Sequence, residues 1–153
     1  MTLNVVAIID AKPEYVTREG RVFATVHPLD KPSGVQLMEV TAPDSYRPWP
    51  NGNVQSDASN RSDERIDTPL GIAQDNKGRL WITDMGLNLG KTRVWAFDIA
   101  GGRQEHKITL PAEVAPKGAF VQDLAVDAER GWVYLADIAP PGLIAVEIAT
   151  GKA

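Results

Sequence analysis

The chain alternates short apolar runs with polar turns, and one such pattern is written twice. "GIAQDNKGRLWITD" runs from Gly71 to Asp84, and "DLAVDAERGWVYLAD" runs from Asp123 to Asp137. Each consists of a small apolar run, Asp, a Gly-bearing turn, an alternating run with an aromatic residue, then Asp. Superposing Asp84 on Asp137, a spacing of about 53 positions, sets Gly78 on Gly131 and Trp81 on Tyr134. Downstream, "VWAFDIAGG" from Val94 matches "LIAVEIATG" from Leu143. A fainter copy lies upstream, where "GRVFAT" from Gly20 matches "GRLWIT" from Gly78 and "VQLMEV" from Val35 takes the place of "VWAFDI".

The runs "RLWIT", "WVYLA" and "RVFAT" are short, rich in β-branched and aromatic residues and free of Pro, which predicts strands. "DNKG" and "AERG" are hairpin turns: Asp or Asn bonds back to the chain, and Gly accepts a positive φ. No sustained helical period interrupts them. The middle copy reads as four antiparallel strands, Gly71–Asp75, Arg79–Thr83, Arg93–Ile99 and Gln104–Leu110. Four-stranded units repeating at about fifty residues predict an all-β fold, a β-propeller. The copies span about 14–45, 69–111 and 120–153 of one partial propeller domain. The first supplies mainly its second and third strands, and the last stops where a fourth would begin, giving about two and a half blades.

A propeller closes with about four blades or more. Two and a half would leave apolar faces and strand edges uncovered. The expectation is therefore that the chain is part of a longer protein supplying the missing blades, or that copies self-associate to close the ring. Between the first two copies, the stretch 46–67 is irregular. Its Pro-rich opening predicts extended chain, and its Ser-, Asn- and Asp-rich second half predicts a solvated, mobile segment, either a lid or plain disorder. "NRS" at Asn60 fits a glycosylation sequon.

Composition narrows the partners. A net charge of −4 with scattered signs offers no basic stripe for nucleic acid, and no run of about twenty apolar residues suits a membrane. The opening "MTLNVVAIIDAK" makes a poor signal peptide, having a short apolar core and no basic leader. Without Cys there are neither disulfides nor Cys-based zinc sites. "GLNLGKT", Gly86 to Thr92, imitates a phosphate-binding loop, but has three residues between its glycines where that motif needs four, and it joins strands rather than opening a helix.

In an up-and-down blade the start of the first strand, the end of the second and the start of the third share one rim. That rim collects Gly71, Asp84, Met85, Asn88, Gln122, Asp123, Asp137 and His27. Carboxylates, amides and an imidazole around a channel mouth could bind a small molecule, hold a divalent metal such as calcium or zinc, or move protons. Asp84, Asn88, Gln122, Asp123, Asp137 and His27 are the ligand-binding candidates, with Asp123 and Asp137 also the candidate metal ligands. Each has a plainer reading. Asp84 and Asp137 could cap backbone amides at strand ends, Asn88 could face water, and His27 could be an ordinary packed or solvated residue. Trp81, Tyr134 and Phe23 occupy equivalent positions and read as interblade core.

"RPWPNGNVQ" from Arg47, "TPLGIAQDNKGRLWITDMG" from Thr68 and "GAFVQDLAVDAERGWVYLADIAPPGLIAVEIATGKA" from Gly118 together resemble the yellow and major royal jelly protein family. The resemblance implies a six-bladed propeller, of which this chain carries under half. It also implies a secreted or periplasmic protein. Similar bacterial sequences carry a label related to dopachrome tautomerase. Some members resemble carriers that hold small aromatic amines in the central channel, and the fold is similar to that of metal-dependent gluconolactonases. Gln122 departs from the family's usual Asn, which weakens a metal-site correspondence. Two functions follow as expectations: a small-molecule-binding propeller, or an enzyme, either a metal-dependent lactone hydrolase or an isomerase. The chain displays no nucleophile, base and oxyanion set, which favours binding.

Overall fold

A computed structural model describes residues 14–26, 34–56 and 59–153. Eleven strands among them form three antiparallel sheets in which chain neighbours are sheet neighbours. Sheet 1 contains β1 (Glu14–Val16), β2 (Val22–Thr25), β3 (Leu37–Ala42) and β4 (Ser45–Pro48). Sheet 2 contains β5 (Pro69–Gln74), β6 (Arg79–Asp84), β7 (Arg93–Asp98) and β8 (Gln104–Thr109). Sheet 3 contains β9 (Val121–Asp127), β10 (Trp132–Ile138) and β11 (Pro141–Glu147). These are blades of a β-propeller, present in part.

The repeat extends to individual backbone bonds. Ile99 N–H donates to the Gly78 carbonyl at 2.9 Å, and Ile148 N–H to the Gly131 carbonyl at 2.8 Å. Gly102 donates to Asp98, and Gly151 to Glu147, each at 2.8 Å. Gly78 and Gly131 close these hairpins at φ of 74° and 79°, where a Cβ would be strained, so both turns keep Gly.

Period-two alternation decides which sheet covers which. In β6, Leu80 and Ile82 point toward sheet 1, where they join Phe23, Leu37, Trp49 and Phe97 in one core. Trp81 points the other way and packs with Val94, Leu124, Val133, Leu135 and Ile144 between sheets 2 and 3. Sheet 2 is therefore buried on both sides, and all six residues of β6 are buried. Removing either of the fully buried indoles, Trp81 or Trp95, would cost about 3–5 kcal/mol. In β10 only alternate residues are covered: Val133, Leu135 and Asp137 face sheet 2, while Ala136 and Ile138 lie on a bare face. On that face Leu143 is 74% exposed and Ile138 51%.

Two expectations are corrected. The first copy carries four strands, not mainly two. Its outermost strand, β4, is a short edge strand that ends on Pro48, a residue tolerated there because an edge needs no inward N–H. The described part of 46–67 is also largely anchored. Trp49 and Ile66 are buried at 3% and 0% exposure, wedged into the core between sheets 1 and 2. Gln55 binds the Gln36 and Leu37 amides through its side-chain oxygen and donates to the Trp49 carbonyl at 2.9 Å. A parallel bridge joins Gln55 to Ile66. Asn60 of the sequon is exposed.

Candidate functional site

The rim is built where β5 and β9, the first strands of their sheets, approach each other. A Cβ on Gly71 would lie 2.8 Å from the Gln122 carbonyl oxygen and 2.9 Å from Asp123 Cα, so only glycine permits this contact. Equivalent threonines secure the neighbourhood. The Thr25 hydroxyl donates to the Leu70 carbonyl at 2.8 Å, and Gly71 N–H donates to the Thr83 hydroxyl at 2.7 Å. Beside Gly71, Gln122 and Asp123 are exposed between the buried Val121 and Leu124. Asp123 accepts from the Leu124 amide through Oδ1 at 2.8 Å.

Asp84 is an internal anchor instead. It is fully buried, and five donors converge on it. Oδ1 accepts from the Thr68 and Gly86 amides at 2.8 and 3.1 Å. Oδ2 accepts from the Asp67 amide at 3.1 Å, the Trp95 indole at 2.9 Å and Arg93 Nη2 at 2.7 Å. A carboxylate so fully engaged has no lone pair to offer a ligand. Met85, also expected on the rim, is buried at 2% exposure. Asn88 is exposed but not free: its backbone and side-chain nitrogens both donate to Asp67, at 2.9 and 3.1 Å.

Asp137 repeats half of the Asp84 arrangement. Its Oδ1 accepts from the Phe120 and Ala139 amides, each at 2.9 Å, the counterparts of Thr68 and Gly86. Asp123 pairs with Ala136, whereas Asp137 pairs with Val121. Neighbouring positions on a strand point to opposite faces, so the two candidate metal ligands are not brought together. Among the described residues no three His, Cys, Asp or Glu stand together as a metal-holding group. His27 lies outside the described residues.

Two participants were missed in the sequence. The sequence marks Arg93 only as the start of a strand, yet a cation opening the apolar run "RVWAF" opposite an Asp is the signature of a buried pair. Asp67 fell in the stretch expected to be mobile, but its fully buried side chain ties the Asn88 loop to the entrance of β5.

The opposite end of sheet 2 holds a second polar cluster. Asp75 accepts from the Arg79 guanidinium at 2.6 Å, the Trp81 indole at 2.8 Å and the amides of Lys77 and Arg79. Burial opposes its charge, but these donors together hold its pKa below the ordinary carboxylate value. Arg79 Nη1 lies 3.0 Å from His106 Nε2; a guanidinium only donates, so Nε2 accepts and the neutral ring carries its proton on Nδ1. Burial first, and Arg79 second, lower the His106 pKa. The imidazole also stacks on Trp81, centroids 5.3 Å apart.

A family model described as Major royal jelly protein matches residues 68–153, more than half of the 153-residue chain. No curated protein matches the chain.

Proposed function

The chain belongs to the major royal jelly protein family, and we propose on that premise that it forms part of a secreted propeller that binds a small polar or aromatic molecule at the mouth of its central channel. The observation that carries the reading is the pair Gln122 and Asp123. They are exposed on the inner strand of sheet 3, held against Gly71 by a contact that excludes any larger residue. Rigid inner strands carrying an amide and a carboxylate suit recognition by complementarity. The other rim carboxylates of sheets 2 and 3 are spent on structure or turned away.

Further blades complete the channel, supplied by more polypeptide or by a second copy. Supporting this, Leu143 and Ile138 are exposed on a face whose counterpart in sheet 2 is covered. The test is calorimetric titration of the protein with an arylethylamine, beside Asp123→Asn and Gln122→Ala. Loss of one charge-assisted hydrogen bond predicts an affinity about tenfold or more lower in Asp123→Asn. Unaltered affinity in both variants would defeat the proposal.

A further inference from the structure

The repeat shows what is missing beside Asp137. In sheet 2 the Asp84 carboxylate receives two amides on Oδ1, then the Arg93 guanidinium and the Trp95 indole on Oδ2. In sheet 3 the two amides recur on Oδ1, and Gly142 pairs with Asp137 as Arg93 pairs with Asp84. Ile144 stands where Trp95 does. Arginine has become glycine and tryptophan has become isoleucine, so both Oδ2 donors are gone. Among the described residues nothing donates to Asp137 Oδ2, although Asp137 is only 5% exposed. A groove of about 460 Å³ opens at this place, lined by Asp137, Gly142, Ile144, Val114 and Pro141.

We propose that this groove is a binding site for a guanidinium group carried on an apolar stem. Asp137 lines the groove with Oδ2 free of protein donors among the described residues, and a cationic donor entering there gains a charge-assisted bond. The same chain demonstrates the fit: Arg93 Nη2 reaches Asp84 Oδ2 at 2.7 Å, and its remaining contacts are backbone carbonyls and the Trp95 ring. The walls in sheet 3 are aliphatic, matching the stem rather than the charge. This site lies on the opposite face of sheet 3 from Asp123, so it is separate from the channel mouth. The guanidinium could belong to a free small molecule or to an Arg in an extended peptide laid along β11, and the chemistry at Asp137 is the same.

Ethylguanidinium and a short extended peptide with one central Arg are titrated into the whole chain, followed by amide chemical shifts. Binding of either, shifting the Phe120 and Ala139 amides and weakened about tenfold or more in Asp137→Asn, is the expected result. Asn keeps an oxygen for the two amides, so the variant retains the strand-end cap. Gly142→Arg rebuilds the sheet 2 arrangement and should block both probes, which guards against a folding defect in the first variant. Tighter binding of the peptide would place the guanidinium on a docked strand; tighter binding of ethylguanidinium, on a free ligand. Affinity unchanged in both variants, no binding by either probe, or equal binding of ethylammonium would overturn the assignment. Asp123→Asn should leave these titrations unaltered, so failure here and failure of the channel-mouth reading are told apart.

Discussion

The Asp84 carboxylate and the Arg93 guanidinium meet at 2.7 Å with side chains 0% and 1% exposed. A pair buried this deeply contributes modestly as a pair, but removing one partner strands the other charge. Asp84→Ala should therefore lower the unfolding free energy by about 3–5 kcal/mol, measured by urea denaturation. It also releases the Thr68, Gly86 and Asp67 amides and the Trp95 indole. Replacing Arg93 together with Asp84 should cost less than the two single losses added, since neither charge is then left alone.

Gly71 sets the spacing between sheets 2 and 3 at the rim. In Gly71→Ala the new methyl meets backbone on both sides, the Gln122 carbonyl and Asp123 Cα, and neither can rotate away. β9 must shift, so the variant should lose about 1–3 kcal/mol of stability. It should also displace Gln122 and Asp123, weakening arylethylamine affinity beyond the effect of Gln122→Ala. Unchanged stability would mean that the inner strands yield more easily than their packing implies.

How much of this was legible in the sequence depended on whether partners were local. Matching Gly78 to Gly131 and Asp84 to Asp137 required only a local pattern, and the sheets repeat the hairpin bonds of both glycines and the two-amide cap on Oδ1 of both aspartates. The equivalence of "RLWIT" and "RVFAT" likewise placed Trp81 and Phe23 in cores between sheets, whereas Tyr134, expected with them, is half-buried outside those cores, on the face of β10 opposite Val133 and Leu135. What escaped was decided across the fold. Trp49 and Ile66 sit in a segment of loop composition, and their burial comes from a gap between sheets 1 and 2 that no local pattern displays. Asn88 reads as a solvated loop residue because its partner, Asp67, is remote in sequence. The strands β1 and β4 share too few letters with their counterparts to reveal a full first sheet.

Acid should weaken the fold in two stages. His106 has its pKa lowered, by burial and then by Arg79, so the unfolded chain takes up the proton first. Its contribution is complete above about pH 6.5 and is lost as pH falls through the lower folded value. Asp75 follows: its folded pKa is also depressed, so its share holds above about pH 4 and fades as pH falls further. Unfolding free energies measured from pH 7 to 3 should decline accordingly. His106→Gln keeps an acceptor for Arg79 but cannot titrate, and should flatten the slope just below pH 6.5. An identical slope in the variant would remove His106 from the account.

Val94 and Leu143 occupy the same place in successive sheets, and their surroundings are opposite. Val94 pairs with Thr83 and is 0% exposed under sheet 3; Leu143 pairs with Ala136 and is 74% exposed. Lys at the first position buries a charge without a partner, so Val94→Lys should cost several kcal/mol and prevent stable folding. Lys at the second meets water, so Leu143→Lys should change the unfolding free energy of the isolated chain by no more than about 0.5 kcal/mol. Sedimentation velocity gives this comparison its functional meaning. If a second copy covers the Leu143 face, the substituted chain sediments as a smaller species than the parent at equal concentration. If other polypeptide covers it, both sediment alike, and adding that polypeptide shifts the parent alone.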